Sequence, residues 1–233
     1  MHKHALSPAQ LAACIDHTLL KPDATALDIK KLCAEAGEHG FHSVCIHGSR
    51  VELARHYLED TEVKIVCVAG FPLGAVSGDV KRFEVEAAID DGAQEIDVVL
   101  NLGRLKDGDD QFVLRELRDV VEAAEERPVK VILETCLLTR EEKIRACQLA
   151  VESGASFVKT STGFGIAGAT VEDVKLLRET VGPQFGVKAS GGIRDTQTAL
   201  AMIAAGATRL GTSASVAIVT ALAEGKVEAS QDD

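Results

Sequence analysis

Three charged residues are set late in apolar runs, and their types and places point to carbonyl chemistry. Lys159 lies in Phe157-Val-Lys-Thr-Ser-Thr-Gly163, Lys188 in Gly186-Val-Lys-Ala-Ser-Gly-Gly192, and Asp97 in Glu95-Ile-Asp-Val-Val-Leu-Asn101. A lone lysine at a strand end can reach water over an apolar stem, and a lone aspartate can satisfy backbone groups. Two lysines at matching places on neighbouring parallel strands differ, because their ammonium groups meet in one confined mouth. At an effective dielectric of about 20 and a separation of roughly 6 Å they repel by about 3 kcal/mol. Desolvation acts the same way, so both effects favour the neutral amine that attack on a carbonyl requires. Asp97 then has two tasks: holding Lys188 charged, and moving protons through carbinolamine and enamine steps.

Glycines follow the same runs. Gly163 stands after Lys159, Gly191 and Gly192 after Lys188, and Gly211 two residues before Ser213. Without Cβ atoms, such segments let backbone N–H groups approach a phosphate. Three clusters beside two lysines suit a small phosphorylated substrate better than three unrelated turns do.

These residues need a frame that delivers them to one end. Eight β-rich apolar runs, at 14–19, 43–47, 64–69, 95–101, 130–135, 157–161, 185–190 and 209–212, alternate with segments of helical period. Strands separated by helices pair in parallel through right-handed crossovers, and eight units in 233 residues fit a closed (β/α)8 TIM barrel. A doubly wound open sheet is the alternative. Helix starts are marked by Thr25 with Asp28, Ser49 with Glu52, Thr139 with Glu142 and Thr170 with Asp173. Helix ends are marked by Gly40, Gly92, Gly154 and Gly206. No linker divides the chain, so residues 1–233 read as one barrel domain, with 228–233 a flexible tail.

Composition excludes several classes of function. A net charge of −11 disfavours nucleic acid, which needs a basic face to displace phosphate counterions. No apolar stretch is long enough to span a membrane, and the N-terminal residues lack the apolar core of a signal peptide. Cys14, Cys33, Cys45, Cys67, Cys136 and Cys147 show no metal spacing and read as reduced core residues, consistent with a cytoplasmic protein.

Ordered segments along nearly the whole chain resemble deoxyribose-phosphate aldolases of the class I, Schiff-base type. They are Ile15-Asp-His-Thr-Leu-Leu-Lys-Pro22, Gly70-Phe-Pro-Leu-Gly74, Glu95-Ile-Asp97, Glu134-Thr135, Phe157-Val-Lys-Thr-Ser-Thr-Gly-Phe164 and Gly186-Val-Lys-Ala-Ser-Gly-Gly-Ile-Arg194. The resemblance implies reversible cleavage of 2-deoxy-D-ribose 5-phosphate to acetaldehyde and D-glyceraldehyde 3-phosphate in deoxyribonucleoside catabolism. It implies no cofactor and no metal. By the same resemblance Lys159 forms the Schiff base, Lys188 perturbs it and Asp97 relays protons. Asp16 would join that polar network, Thr18, Leu20 and Cys45 would line the pocket, and the chain would form a homodimer. Three departures stand out: the only tyrosine is Tyr57, Ser213 is followed by alanine rather than a second serine, and Cys45-Ile-His-Gly48 lacks a proline.

Rival readings use the same residues differently. A metal-dependent aldolase would need converging His and carboxylate ligands, which the spacing of the seven histidines does not suggest. A transaldolase-type enzyme would share the lysine but transfer a larger ketol unit. A sugar-phosphate binding barrel without turnover would have no need of Lys159, Lys188 and Asp97 together.

Overall fold

The computed structural model describes residues 6–226. Helix α1 (Pro8–Ala12) leads into β1 (Ile15–Thr18), α2 (Ala26–His39), β2 (Ser43–Ile46), α3 (Val51–Leu58), β3 (Lys64–Ala69) and α4 (Gly78–Asp91). Next come β4 (Glu95–Val99), α5 (Leu102–Lys106), α6 (Asp110–Ala123), β5 (Val129–Ile132), α7 (Arg140–Glu152), β6 (Phe157–Lys159) and α8 (Val171–Val181). The described chain closes with β7 (Gly186–Ser190), α9 (Thr196–Ala205), β8 (Arg209–Thr212) and α10 (Ser215–Ala223). All eight strands are parallel and pair in sequence order, and β8 returns to β1 to close the barrel. The open sheet is thereby excluded.

Strand alternation sorts side chains into two interiors. Outward residues such as Ile15, Val44, Ile96, Val131, Val158, Val187 and Leu210 pack against the helices in the main apolar core. Inside the barrel only a small apolar cluster forms, from Leu20, Cys45, Val66 and Val68. Much of the rest of the lumen carries charge.

Local signals fix most helix ends. Thr25 and Asp28 at α2, and Thr139 and Glu142 at α7, form reciprocal capping boxes. Thr170 accepts from the Asp173 N–H at α8. Gly40, Gly92 and Gly206 close α2, α4 and α9 in left-handed geometry, and Gly154 follows α7 at φ 87°. Ser49 is the exception: a 3-10 turn at Gly48–Arg50 precedes α3 and takes Ser49 inside it, so α3 has no side-chain cap. Several strands are shorter than the apolar runs. β4 stops at Val99 because Asn101 turns to cap α5, accepting from the Arg104 N–H. The tail expected at 228–233 lies outside the described residues.

Candidate active site

Neighbouring strands bring seven ionisable side chains into the barrel lumen. Lys159 and Lys188 are register partners on β6 and β7, and both donate to the same oxygen of Asp97, at 2.8 Å and 2.7 Å from Oδ2. Lys130 on β5 donates to the other oxygen, Oδ1, at 2.9 Å, and lies 2.6 Å from Glu95 Oε2. Lys188 also donates to Asp16 on β1. Arg209 on β8 bridges Asp16 Oδ1 at 2.9 Å and Glu95 Oε2 at 3.1 Å. The Ser43 hydroxyl donates to Asp16 Oδ1 at 2.7 Å. Phe157 closes the lower lumen with its ring 5.8 Å from the Lys130 ammonium and 5.4 Å from the Arg209 guanidinium.

The electrostatics follow from burial opposed by pairing. Burial alone raises a carboxyl, yet Lys130, Lys159 and Lys188 outweigh it and hold Asp97 well below the ordinary carboxylate range. Asp16 is lowered likewise, with Lys188, Lys130 and Arg209 overcoming its burial. Glu95 falls to about 2 as the His42 hydrogen bond, Lys130 and Arg209 overcome its desolvation. Burial pulls Lys188 down, but Asp16 and Asp97 raise it above the usual lysine value. Asp97 thus serves three lysines, a wider task than holding Lys188 alone. With every group ionised, Lys130, Lys159, Lys188 and Arg209 face Asp16, Glu95 and Asp97, and loss of one proton balances the set.

A cavity of about 240 Å³ opens where the strands end. Thr18, Leu20, Lys159, Gly163, Gly191, Gly192, Gly211 and Ser213 all line it, as do Phe164 and Arg194. Gly191 and Gly192 adopt φ 84° and 79°, a left-handed region that disfavours side chains. Gly211 serves a further purpose, because a Cβ there would stand 3.0 Å from both Lys188 Cε and Ser190 Cβ. Asp16 joins the polar network of the lumen, and both it and Cys45 are fully buried and not among the residues that line this cavity. Asp16 is consumed by Lys188, Arg209 and Ser43, and burial raises the Cys45 thiol. Tyr57 lies on α3, packed against the outer core.

Sequence spacing missed Lys130, Arg209 and Glu95, although a charge inside an apolar strand, the signal that marked Asp97, marks these also. The histidines bring one correction. The fold places His42 with Asp16 and Glu95, so that one ligand atom from each lies within 4.8 Å of the others. The three residues come from separate parts of the chain, which is why spacing hid them. Lys130, Arg209 and Ser43 already engage those carboxylate oxygens, so a cation there would have to displace them. His47 bonds the Leu20 carbonyl at 3.1 Å and meets the Phe71 ring edge-on.

Comparison with known proteins agrees with this arrangement. The family described as DeoC/LacD family aldolase matches residues 10–220. A deoxyribose-phosphate aldolase of Alkaliphilus oremlandii is 60% identical over 90% of this chain and 95% of the relative. One from Thermococcus gammatolerans is 58% identical over 90% and 95% respectively. The tetrameric deoxyribose phosphate aldolase of Aeropyrum pernix superposes with a TM-score of 0.88 at 35% identity, covering 93% of this chain and 92% of that one. A closed parallel barrel, three lysines converging on one buried aspartate, and a match over most of its length place this chain in the DeoC/LacD family of aldolases.

Proposed function

We propose that this aldolase reversibly cleaves 2-deoxy-D-ribose 5-phosphate to acetaldehyde and D-glyceraldehyde 3-phosphate through a Schiff base on Lys159. One observation carries the choice of nucleophile. Of the three lysines on Asp97, Lys159 alone lines the cavity, whereas Lys130 and Lys188 are sealed beneath it. The neutral Lys159 amine attacks the aldehyde carbon of the open-chain sugar, and the carbinolamine loses water to give an iminium. Removal of the proton from the C3 hydroxyl breaks the C2–C3 bond. Its electron pair passes into the iminium as an enamine, and glyceraldehyde 3-phosphate leaves. Protonation of the enamine carbon and hydrolysis release acetaldehyde.

Asp97 and Lys188 act as one proton-handling unit. At rest Asp97 is held ionised by three cations and is a weak acceptor. Once Lys159 becomes a neutral carbinolamine nitrogen, one cation is lost and the carboxylate becomes a better base, at the stage that needs one. The phosphate is received by Gly163, Gly191, Gly192, Ser213 and Arg194 at the rim. α10 begins just beyond Ser213 with no side-chain cap at Ala214, which leaves its N-terminal N–H groups for an anion. No metal or other cofactor enters this scheme, and transaldolase chemistry would require a ketol donor where acetaldehyde suffices here. The chain acts as one barrel domain in the cytoplasm, in keeping with six free thiols and, among the described residues, no helix able to cross a membrane. Exposed Leu27, Leu73 and Phe83 offer apolar surface to a second copy in a homodimer.

Borohydride reduction with acetaldehyde, followed by peptide mapping, tests the assignment. The adduct is expected on Lys159, and a reduced adduct confined to any other lysine overturns it.

A further inference from the structure

Beside the cavity, Glu134 holds a backbone conformation that its residue type disfavours. It lies in the left-handed region at φ 50°, ψ 62°, two residues past the end of β5. A side chain raises the energy of this region, so surrounding contacts must impose it, and such residues gather at functional sites. The hydrogen bonding shows how it is imposed. The Leu133 N–H donates to the Lys159 carbonyl and the Thr135 N–H to that of Thr160, both at 2.9 Å. The chain therefore advances two residues after β5 for one after β6, and Glu134 is the extra residue, in the manner of a bulge that re-aims a side chain.

The side chain is aimed at the loop that follows Lys159. Glu134 is 4% exposed. Its Oε2 accepts from the Thr162 N–H at 3.3 Å and from the Thr162 hydroxyl. That hydroxyl oxygen in turn accepts from the Phe164 N–H at 3.0 Å. The Cys136 thiol donates to Oε1 at 3.8 Å. Gly165 packs so closely that a Cβ there would stand 3.1 Å from the Glu134 carboxylate. Residues 162–165 thus wrap one buried carboxylate, and three of the cavity's lining residues, Thr162, Gly163 and Phe164, belong to the wrapped segment. Glu134 is not itself among the lining residues, and among the described residues no lysine, arginine or histidine forms an ion pair with it.

We infer that Glu134 is a positioning residue that fixes the loop of residues 162–165 in the shape that receives the anionic end of the substrate. This rests on the reading of the rim as a phosphate site. The carboxylate ties up the Thr162 N–H and hydroxyl, which sets Gly163 at φ 88° and turns its backbone toward the cavity. The same ties hold the Phe164 ring edge-on to Phe71, at 5.4 Å between centroids. Without the carboxylate, the loop has no buried acceptor and its close packing at Gly165 is lost.

The test compares KM and kcat for 2-deoxyribose 5-phosphate and for unphosphorylated deoxyribose in the parent, Glu134→Gln and Glu134→Ala, together with Tm. Losing buried hydrogen bonds to a charged acceptor gives an expected rise of about 10-fold or more in KM for the phosphorylated sugar with Glu134→Ala. KM for deoxyribose and kcat for both sugars should stay within about 2-fold in Glu134→Ala, because Lys159 and Asp97 are not contacted by Glu134. Glu134→Gln keeps an acceptor oxygen and should fall between the two, which supplies the measurement if the alanine variant does not fold. A parent KM that ignores the phosphate overturns the phosphate site itself. A parent that discriminates and variants that discriminate equally well overturn the role of Glu134 alone. A loss of kcat or a rise in KM that affects both sugars alike, whatever the Tm, shows a structural residue only and also overturns it.

Discussion

Lys159 and Lys188 occupy equivalent positions on adjacent strands and differ in what surrounds them. Lys188 has two carboxylates and no access to the cavity, while Lys159 shares one carboxylate oxygen and faces open space. Replacing Lys188 with methionine keeps the chain length and removes one cation from Asp97. Lys130 still holds Oδ1, and Oδ2 is left to Lys159 alone, so the carboxylate grips the Lys159 amine more tightly. Initial Schiff-base trapping in Lys188→Met should therefore fall by about 10-fold or more at neutral pH. Stopped reactions with borohydride measure it. An unchanged trapping rate would show that Lys188 does not act on Lys159.

At the scale of elements, the site depends on small residues as much as on charged ones. Gly211 on β8 leaves the space through which the Lys188 stem passes, with Cε only 3.0 Å from where a Cβ would stand. Gly211→Ala must displace either that stem or Ser190. Overpacking of this kind costs about 1–3 kcal/mol, so the denaturation midpoint should drop by a corresponding amount. Trapping should slow with it, since a displaced Lys188 loosens the shared Asp97 oxygen. Equal stability and equal trapping in the variant would show that the lumen has slack at this layer.

Across the whole molecule, the buried charges link folding to pH. Glu95 drops from an ordinary value of 4.5 to about 2 on folding. Between those values the unfolded chain binds more protons than the native one, so stability rises with pH. The contribution is fully present above about pH 4.5 and is lost as pH falls toward 2. Integrated over the shift, it is worth about 3 kcal/mol. Glu95→Gln should therefore lose stability less steeply between pH 4.5 and 2, whatever its starting stability, in denaturant titrations at stepped pH. A parallel acid slope in parent and variant would place the acid sensitivity elsewhere, with Asp16 and Asp97 the next groups to test.

The barrel and the charged residues gathered at its open end were legible in the sequence because both depend on short-range patterns. Apolar runs alternating with helical segments dictate parallel strands. Lys159, Lys188 and Asp97 stand out because a charge inside an apolar run has few bland explanations. What spacing could not convey is how inward positions stack once eight strands close. Lys130, Arg209 and Glu95 sit in the same kind of run, yet only the register of β4, β5 and β8 brings them to Asp97 and Asp16. Closure also buried Asp16 and Cys45 fully and set His42 beside two carboxylates. Glu134 was visible only as part of a motif, since its left-handed turn and its hold on Thr162 arise from a one-residue slip between strands. Periodicity along the chain fixes which residues point inward; which inward residues touch depends on closure, a property of all eight strands at once.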